Sequence, residues 1–410
     1  HFSVMKGAIA LQVNTRWSTA AGHLRCMGDL MRILSVDAVG LSGKSPKGGW
    51  SHEIKPEDSI HCLLIVRTDD GKMGVGSVFT NAGLVDAALS VLRPLVIGET
   101  AEEPSRVTEK LHQHMFWMGH GGTITHTISG IDIALWDIFG QICRQPLSRL
   151  LGGNHRTRVM AYASILMEMP DFMKERTAFY RNAGYRAIKI GWGPFGRRND
   201  PKLDEKIVKA AREGAGDDTF LMVDAGGSDA YWPNGLNWAV RTADMLKDYD
   251  VYWFEEALKP DDVDDHRALR ERSPVPIAGC ECLTRRQSFL PWLEKRAVDI
   301  IQPDVTKVGG VSEQIQIARM ANAFGVRYIG HGWNTAVGLA ADLHLAASFA
   351  TTDFVEYIEG SPYVDEITTQ NWKLDCQGML EIPQKSGLGI ELDKDALQSM
   401  TTVDLQRIFG

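Results

Sequence analysis

Three short apolar stretches near the middle of the chain each end in an acid: Leu221-Met222-Val223-Asp224, Tyr252-Trp253-Phe254-Glu255-Glu256 and Ile277-Ala278-Gly279-Cys280-Glu281. On neighbouring parallel strands these ends would lie side by side, and convergent carboxylates repel one another unless a cation neutralises them. Hard oxygen ligands of this kind suit Mg2+, which keeps its remaining positions for water and substrate oxygens. Asp224, Glu255 and Glu281 are therefore candidate metal ligands. Any one of them alone is equally well read as a helix N-cap or a salt-bridge partner; recurrence on three successive stretches carries the metal reading. Farther on come Gln302-Pro303-Asp304 and Ile329-Gly330-His331-Gly332. An Asp and a His at adjacent strand ends can hydrogen-bond, which fixes the imidazole tautomer and raises its basicity. His331 is thus a candidate general base with Asp304 as its orienter, against the plainer reading of a structural histidine. Lys189, between Ile188 and Ile190, puts a cation at another strand end. It would hold a substrate carboxylate or damp negative charge beside the metal, and its apolar neighbours argue against a snorkelling surface lysine.

Such residues act together only if the strands that bear them are parallel and adjacent. Eight short apolar runs fit that need: Val159 to Ser164, Ala187 to Gly191, Phe220 to Asp224, Tyr252 to Glu255, Pro276 to Glu281, Ile300 to Asp304, Tyr328 to His331 and Phe354 to Glu356. They alternate with helical stretches at a spacing of about 30 residues, the rhythm of βαβ crossovers, and eight such units close into a barrel with its chemistry at the C-terminal strand ends. Before them, Ile33 to Val39, Ile60 to Arg67 and Gly74 to Phe79 alternate as strands around an Asp69-Asp70-Gly71 turn. Leu84 to Leu95, Pro104 to Trp117 and His126 to Arg144 read as helices. The predicted fold class is α/β, a (β/α)7–8 TIM-type barrel with an N-terminal α+β capping domain. The expected boundaries are an extension over 1–30, where no strand or helix period shows, the capping domain over 31–153, the catalytic barrel over 154–373 and a C-terminal segment over 374–410 that returns to the cap.

Composition narrows the partners. A chain of 410 residues, 44% hydrophobic and 23% charged, is globular and long enough for two or three folding units. A formal net charge of −8 without a basic run excludes a general affinity for nucleic acid or an anionic membrane. No uninterrupted apolar stretch is long enough to span a bilayer. The six cysteines are scattered, which points to a reducing cytoplasm rather than a disulfide framework. Cys280-Glu281-Cys282 is no thiolate metal site on this reading: in a strand both cysteines face away from the side of Glu281, and no second pair follows.

The order Lys189, Asp224, Glu255, Glu281, Asp304, His331 and Glu356, the last in Phe354-Val355-Glu356-Tyr357, resembles the enolase superfamily, mandelate racemase subgroup. Supporting stretches are Ser129-Gly130-Ile131-Asp132-Ile133-Ala134-Leu135-Trp136-Asp137, similar to the family's helix before the barrel, and Gly309-Gly310-Val311. The superfamily uses a Lys or His base and Mg2+ to stabilise an enediolate. The resemblance implies two cap loops that set specificity, at Ser42 to Trp50 and Val78 to Gly83, with Lys47, Trp50 and Asn81 as substrate-binding candidates. It also implies a homo-oligomer and a small-molecule sugar acid as partner.

One departure bears on mechanism. Racemases of the subgroup carry Lys-x-Lys at the second barrel strand, with the second lysine as the base on one face of the substrate and the His-Asp dyad as the base on the other; here the second position is Gly191, followed by Trp192. A single base suffices for β-elimination, with His331 taking the α-proton and returning it to the leaving hydroxyl, and a protonated Glu356 donating to the carboxylate. Trp192-Gly193-Pro194 is similar to acid-sugar dehydratases of the rhamnonate type, which makes Trp192 a further substrate-binding candidate. The expectation is a hydro-lyase that converts an aldonic acid to its 2-keto-3-deoxy product. A diacid dehydratase, for which Arg197-Arg198 would supply the second cation, an epimerase and a lactone cycloisomerase are the alternatives within the superfamily; a non-catalytic homologue is the alternative outside it.

Overall fold

The computed structural model describes residues 30–42, 60–358 and 360–409. The described residues begin with an antiparallel sheet of β1 (Ile33–Gly40), β2 (His61–Thr68) and β3 (Met73–Phe79), in that order. Thr68 and Lys72 close the β2–β3 hairpin, where Gly71 takes φ +84°. Helices α1 (Ala82–Val96), α2 (Pro104–His114), α3 (Gly122–Cys143) and the short α4 (Leu147–Leu150) follow. Helix α1 runs one residue past its expected end despite Pro94, and α2 stops at His114 before a 3-10 turn over Phe116–Met118. The long α3 lies directly on β3: a Cβ on Gly76 would stand 1.8 Å from the Gly130 carbonyl oxygen, so only glycine lets helix and strand approach so closely.

The second sheet begins with β4 (Arg158–Leu166), α5 (Pro170–Asn182), β5 (Ala187–Gly191), α6 (Pro201–Ala215), β6 (Phe220–Asp224), α7 (Leu236–Lys247), β7 (Val251–Glu255) and α8 (Val263–Arg270). It continues through β8 (Ile277–Gly279), α9 (Arg285–Glu294), β9 (Ile300–Ile301), α10 (Val311–Phe324), β10 (Arg327–Tyr328), α11 (Ala336–Ser348) and β11 (Phe354–Tyr357). Successive strands pair in parallel from β4 to β10, and β11 returns beside β4. Between β10 and β11 no ladder forms among the described residues. The Thr352 hydroxyl donates to the Tyr328 carbonyl at 3.0 Å there, and Arg327 pairs with Asp353. Tyr162, Ala187, Met222, Trp253, Ala278, Ile300, Ile329 and Phe354, one from each strand path, pack together as the filled interior of the barrel.

After α12 (Pro362–Asp365), β12 (Met379–Glu381) adds antiparallel to the start of β4. Beyond it, α13 (Lys394–Ser399) and α14 (Leu405–Phe409) bring Leu397, Met400, Leu405 and Ile408 into one cluster with Val39, Leu41, Leu63 and Ile65 of the cap sheet.

Candidate active site

The period of two along a strand builds the site. Two residues beyond each member of the interior layer, the same inward face carries Ser164, Lys189, Asp224, Glu255, Gln302, His331 and Glu356. Only the β8 path departs. Cys280 takes φ +88° just after β8, and Glu281 rather than Cys280 reaches the layer. Parallel register puts Gly191, Asp224 and Glu255 side by side.

Asp224, Glu255 and Glu281 are buried, and an oxygen of each lies within 4.8 Å of the others. Burial, then the Glu255 carboxylate, pushes Asp224 up to about 8. A divalent cation would remove that repulsion, so these residues fit a hard metal ion. Glu256, the other half of the Glu-Glu pair, turns away at φ +43°, where Ser228 donates to it through both its backbone N–H and its hydroxyl. With Glu281 and Cys282 it forms a second possible grouping, and the Cys282 thiol lies 3.9 Å from Glu256 Oε1. This corrects the strand reading of Cys280-Glu281-Cys282: the alternation ends at β8, and Cys282 is brought toward the acids. A soft sulfur suits Mg2+ less than the three carboxylates do.

Glu255 is held from several sides. Its Oε2 accepts from Trp253 Nε1 at 2.8 Å and Gln302 Nε2 at 2.9 Å, and its Oε1 lies 2.6 Å from Lys189 Nζ. Lys189 also meets Glu356 at 3.0 Å and Asp224 at 3.7 Å. Burial works against its charge, but Glu255 and Glu356 outweigh that and raise its pKa well above the usual value. These acids favour the charged form of Lys189.

His331 Nδ1 lies 2.7 Å from Asp304 Oδ2, so the expected dyad forms. The other Asp304 oxygen accepts from the Thr306 backbone N–H and hydroxyl, at 2.8 and 2.6 Å. Despite its burial Asp304 is held well below the usual carboxylate range by Lys307 and His331. With Nδ1–H donated to Asp304, Nε2 faces the acids, 3.2 Å from Glu281 and 3.9 Å from Glu356. Burial alone would depress the imidazole; Glu281, Glu356 and Asp304 raise it above its ordinary value. Glu356 differs from the expectation of a protonated donor. Although buried, it is drawn down to about 2 by Lys189 and His331, and it accepts from the Gly332 N–H at 2.8 Å. It is an ionised acceptor in this arrangement.

These groups open into a cleft of about 490 Å3 lined by Phe79, Ile165, Leu166, Trp192 and Trp333 among others. Trp192, with φ +62°, forms one wall. Arg197 makes four hydrogen bonds to protein acceptors, so it is no free cation for a second substrate carboxylate. Asn81 caps α1, its side-chain oxygen accepting from Leu84 N at 3.0 Å; from the span Val78 to Gly83 it is Phe79 that lines the cleft. Lys47 and Trp50 lie outside the described residues. Sequence reasoning missed Lys307, which lies 3.7 Å from Glu281, 3.6 Å from Asp304 and 4.2 Å from the centre of the Phe79 ring. Its signal was a lysine three residues past a strand-end acid. Ser164 and Gln302 were legible from the strand period alone.

Residues 57–152 match the mandelate racemase/muconate lactonizing enzyme N-terminal domain, and 171–396 match the enolase C-terminal domain-like family. Over 390 residues the chain is 32% identical to the D-galactarolactone cycloisomerase of Agrobacterium fabrum, covering 91% of this chain and 100% of that one. It is 30% identical to the D-xylonate dehydratase of Haloferax volcanii, covering 90% and 93% of the two chains. The crystal structure of the 3,6-anhydro-D-galactonate cycloisomerase from Zobellia galactanivorans superposes with a TM-score of 0.80 at 28% identity, over 91% of this chain and 100% of that one. With both domains matched and a full-length relative at this identity, the chain belongs to the mandelate racemase/muconate lactonizing enzyme family of the enolase superfamily.

Proposed function

We propose that the protein dehydrates a sugar acid, an aldonic acid in the first instance, to its 2-keto-3-deoxy product. The observation that carries this reading is the one-sided base: His331 and Asp304 form a dyad on one side of the cleft, while Gly191 stands where racemases of the subgroup place a second lysine. Lys189 does not substitute for that lysine, because its acid neighbours hold it cationic. Mg2+ held by Asp224, Glu255 and Glu281 would supply a Lewis acid for the substrate carboxylate. His331 Nε2 takes the α-proton, Asp304 stabilises the imidazolium, and the same nitrogen delivers the proton to the departing 3-hydroxyl. Lys189 offsets the negative charge that develops on the carboxylate, and Glu356 keeps Lys189 in place. The five described cysteines are free, in keeping with a cytoplasmic setting. The exposed run Phe116-Trp117-Met118 fits a homo-oligomer.

The test is a screen of the protein with Mg2+ against mono- and diacid sugars, following 2-keto-3-deoxy products chemically and α-proton exchange in D2O by NMR. A product from one stereochemical set is expected. A second reading, lactone cycloisomerisation, is favoured by the 32% identity to a cycloisomerase and also needs only one base. Turnover of lactones without any keto-deoxy product would replace the first reading by the second.

A further inference from the structure

The geometry points to Arg197 as a positioning residue that clamps Trp192 against the loop following Asp224 and thereby sets the substrate-binding wall of the cleft. This rests on the reading of that cleft as the sugar-acid site. Trp192 is held in a left-handed backbone conformation, φ +62°, that a bulky residue adopts only under constraint from its surroundings. Its N–H donates to the Asp224 carbonyl at 3.0 Å, and its ring lies so close over Gly226 that a Cβ there would meet it at 2.7 Å. Arg197 supplies the constraint. Its Nε donates to Asp229 Oδ2 at 2.9 Å, Nη1 to the Ala225 carbonyl at 3.1 Å and to its own loop at Phe195 at 3.3 Å, and Nη2 to the Gly226 carbonyl at 3.1 Å. The guanidinium carbon stands 5.7 Å from the centre of the Trp192 ring and 4.9 Å from that of Trp232. The same loop sends the Gly226 N–H to Asp224 Oδ1 at 2.8 Å. One planar fork therefore ties the aromatic wall after β5 to the backbone that orients a metal-type carboxylate after β6, a task for which a lysine's single ammonium is a poor substitute. Because Trp192 and His331 line the cleft and Arg197 does not, removal of Arg197 acts on binding through the Trp192 wall more than on proton transfer.

The experiment compares wild type, Arg197→Ala and Arg197→Lys, each alone and combined with Trp192→Phe, so that subtraction isolates the emission of Trp192. In the folded resting protein both Arg197 variants are expected to red-shift the Trp192 emission and to increase its quenching by acrylamide. With a turned-over sugar acid, KM is expected to rise about tenfold while kcat stays within about threefold. Arg197→Lys keeps the charge opposite Asp229 and carries the test if the alanine variant does not fold. Trp192 emission and quenching unchanged in a folded variant would overturn the clamp, as would a fall in kcat at constant KM. If no sugar acid is turned over by wild type, the functional reading fails, and the fluorescence comparison still decides the clamp.

Discussion

At the scale of the residue, the proposed mechanism divides the work of the dyad between two atoms of one ring. Asp304 fixes Nδ1 as the donor, which leaves Nε2 to exchange the proton. Replacing His331 by Asn should abolish α-proton exchange while the protein keeps its melting temperature in Mg2+. Asp304→Asn, which loses the charge and allows the wrong tautomer, should slow turnover ~100-fold or more. NMR exchange in D2O measures both, and an active H331N protein would leave the mechanism without its base. Gly191 yields a second expectation. A Cβ there would stand 3.1 Å from the Asp224 Cβ and 3.2 Å from its Oδ2. Gly191→Ala should therefore weaken Mn2+ binding, by about tenfold in a calorimetric titration, without unfolding the barrel; undiminished affinity would show that Asp224 is not a ligand or yields without cost. Most residues of the site were legible because strand-end acids and a His beside a Gly carry their chemistry in their type. Lys307 was not, since its role arises from where a turn folds back toward Glu281. The charge state of Glu356 was not either, because it depends on Lys189 and His331, which other strands contribute.

At the scale of the element, β5, β6 and β11 were nearly readable to the residue, while β9 and β10 shrank to two residues each. The physical reason is that the residues just beyond them serve the site: Gln302 turns to Glu255, and Asp304 meets His331 as an isolated bridge rather than in a continuous ladder. What the sequence concealed is how closely elements approach. Nothing in the text of β3 says that Gly74 and Gly76 face α3, where added Cβ atoms would lie 2.2 Å from the Ala134 oxygen and 1.8 Å from that of Gly130. Gly76→Ala should push α3 off the sheet and destabilise the cap by several kcal/mol. Thermal unfolding checks this: a melting temperature within a degree of wild type would mean that helix and strand separate freely there.

At the scale of the whole molecule, the chain's last segment returns to seal the junction of cap and barrel, and a histidine records whether it has done so. His344 on α11 is fully buried; its Nδ1 accepts from the Ser148 N–H at 3.3 Å, and its Nε2 donates to the Leu388 carbonyl at 3.1 Å. That pattern admits only the neutral ring, since a second ring proton would confront the Ser148 N–H. Burial accordingly lowers its pKa to about 4. A base whose pKa falls on folding contributes its full stability only above its unfolded value, about 6.5, and that contribution is lost as the pH drops toward the folded value. For His344 alone the loss reaches about 2 kcal/mol at pH 5. His61, His112 and His126 are depressed by burial in the same direction. Asp132 and Asp137, which burial pushes up to about 6, oppose them, because the folded state takes up their protons first and gains stability as the pH falls. The whole-protein curve is therefore a sum of opposed slopes, and a difference is needed to isolate one group. His344→Gln keeps a donor for Leu388 and an acceptor for Ser148 without a titrating ring. The variant should be the less stable protein at pH 7.5, and its deficit should shrink by about 2 kcal/mol on going to pH 5 in urea unfolding. A deficit independent of pH would mean that His344 takes up its proton as readily in the folded as in the unfolded chain, and the two hydrogen bonds at the junction would then place no constraint on its charge.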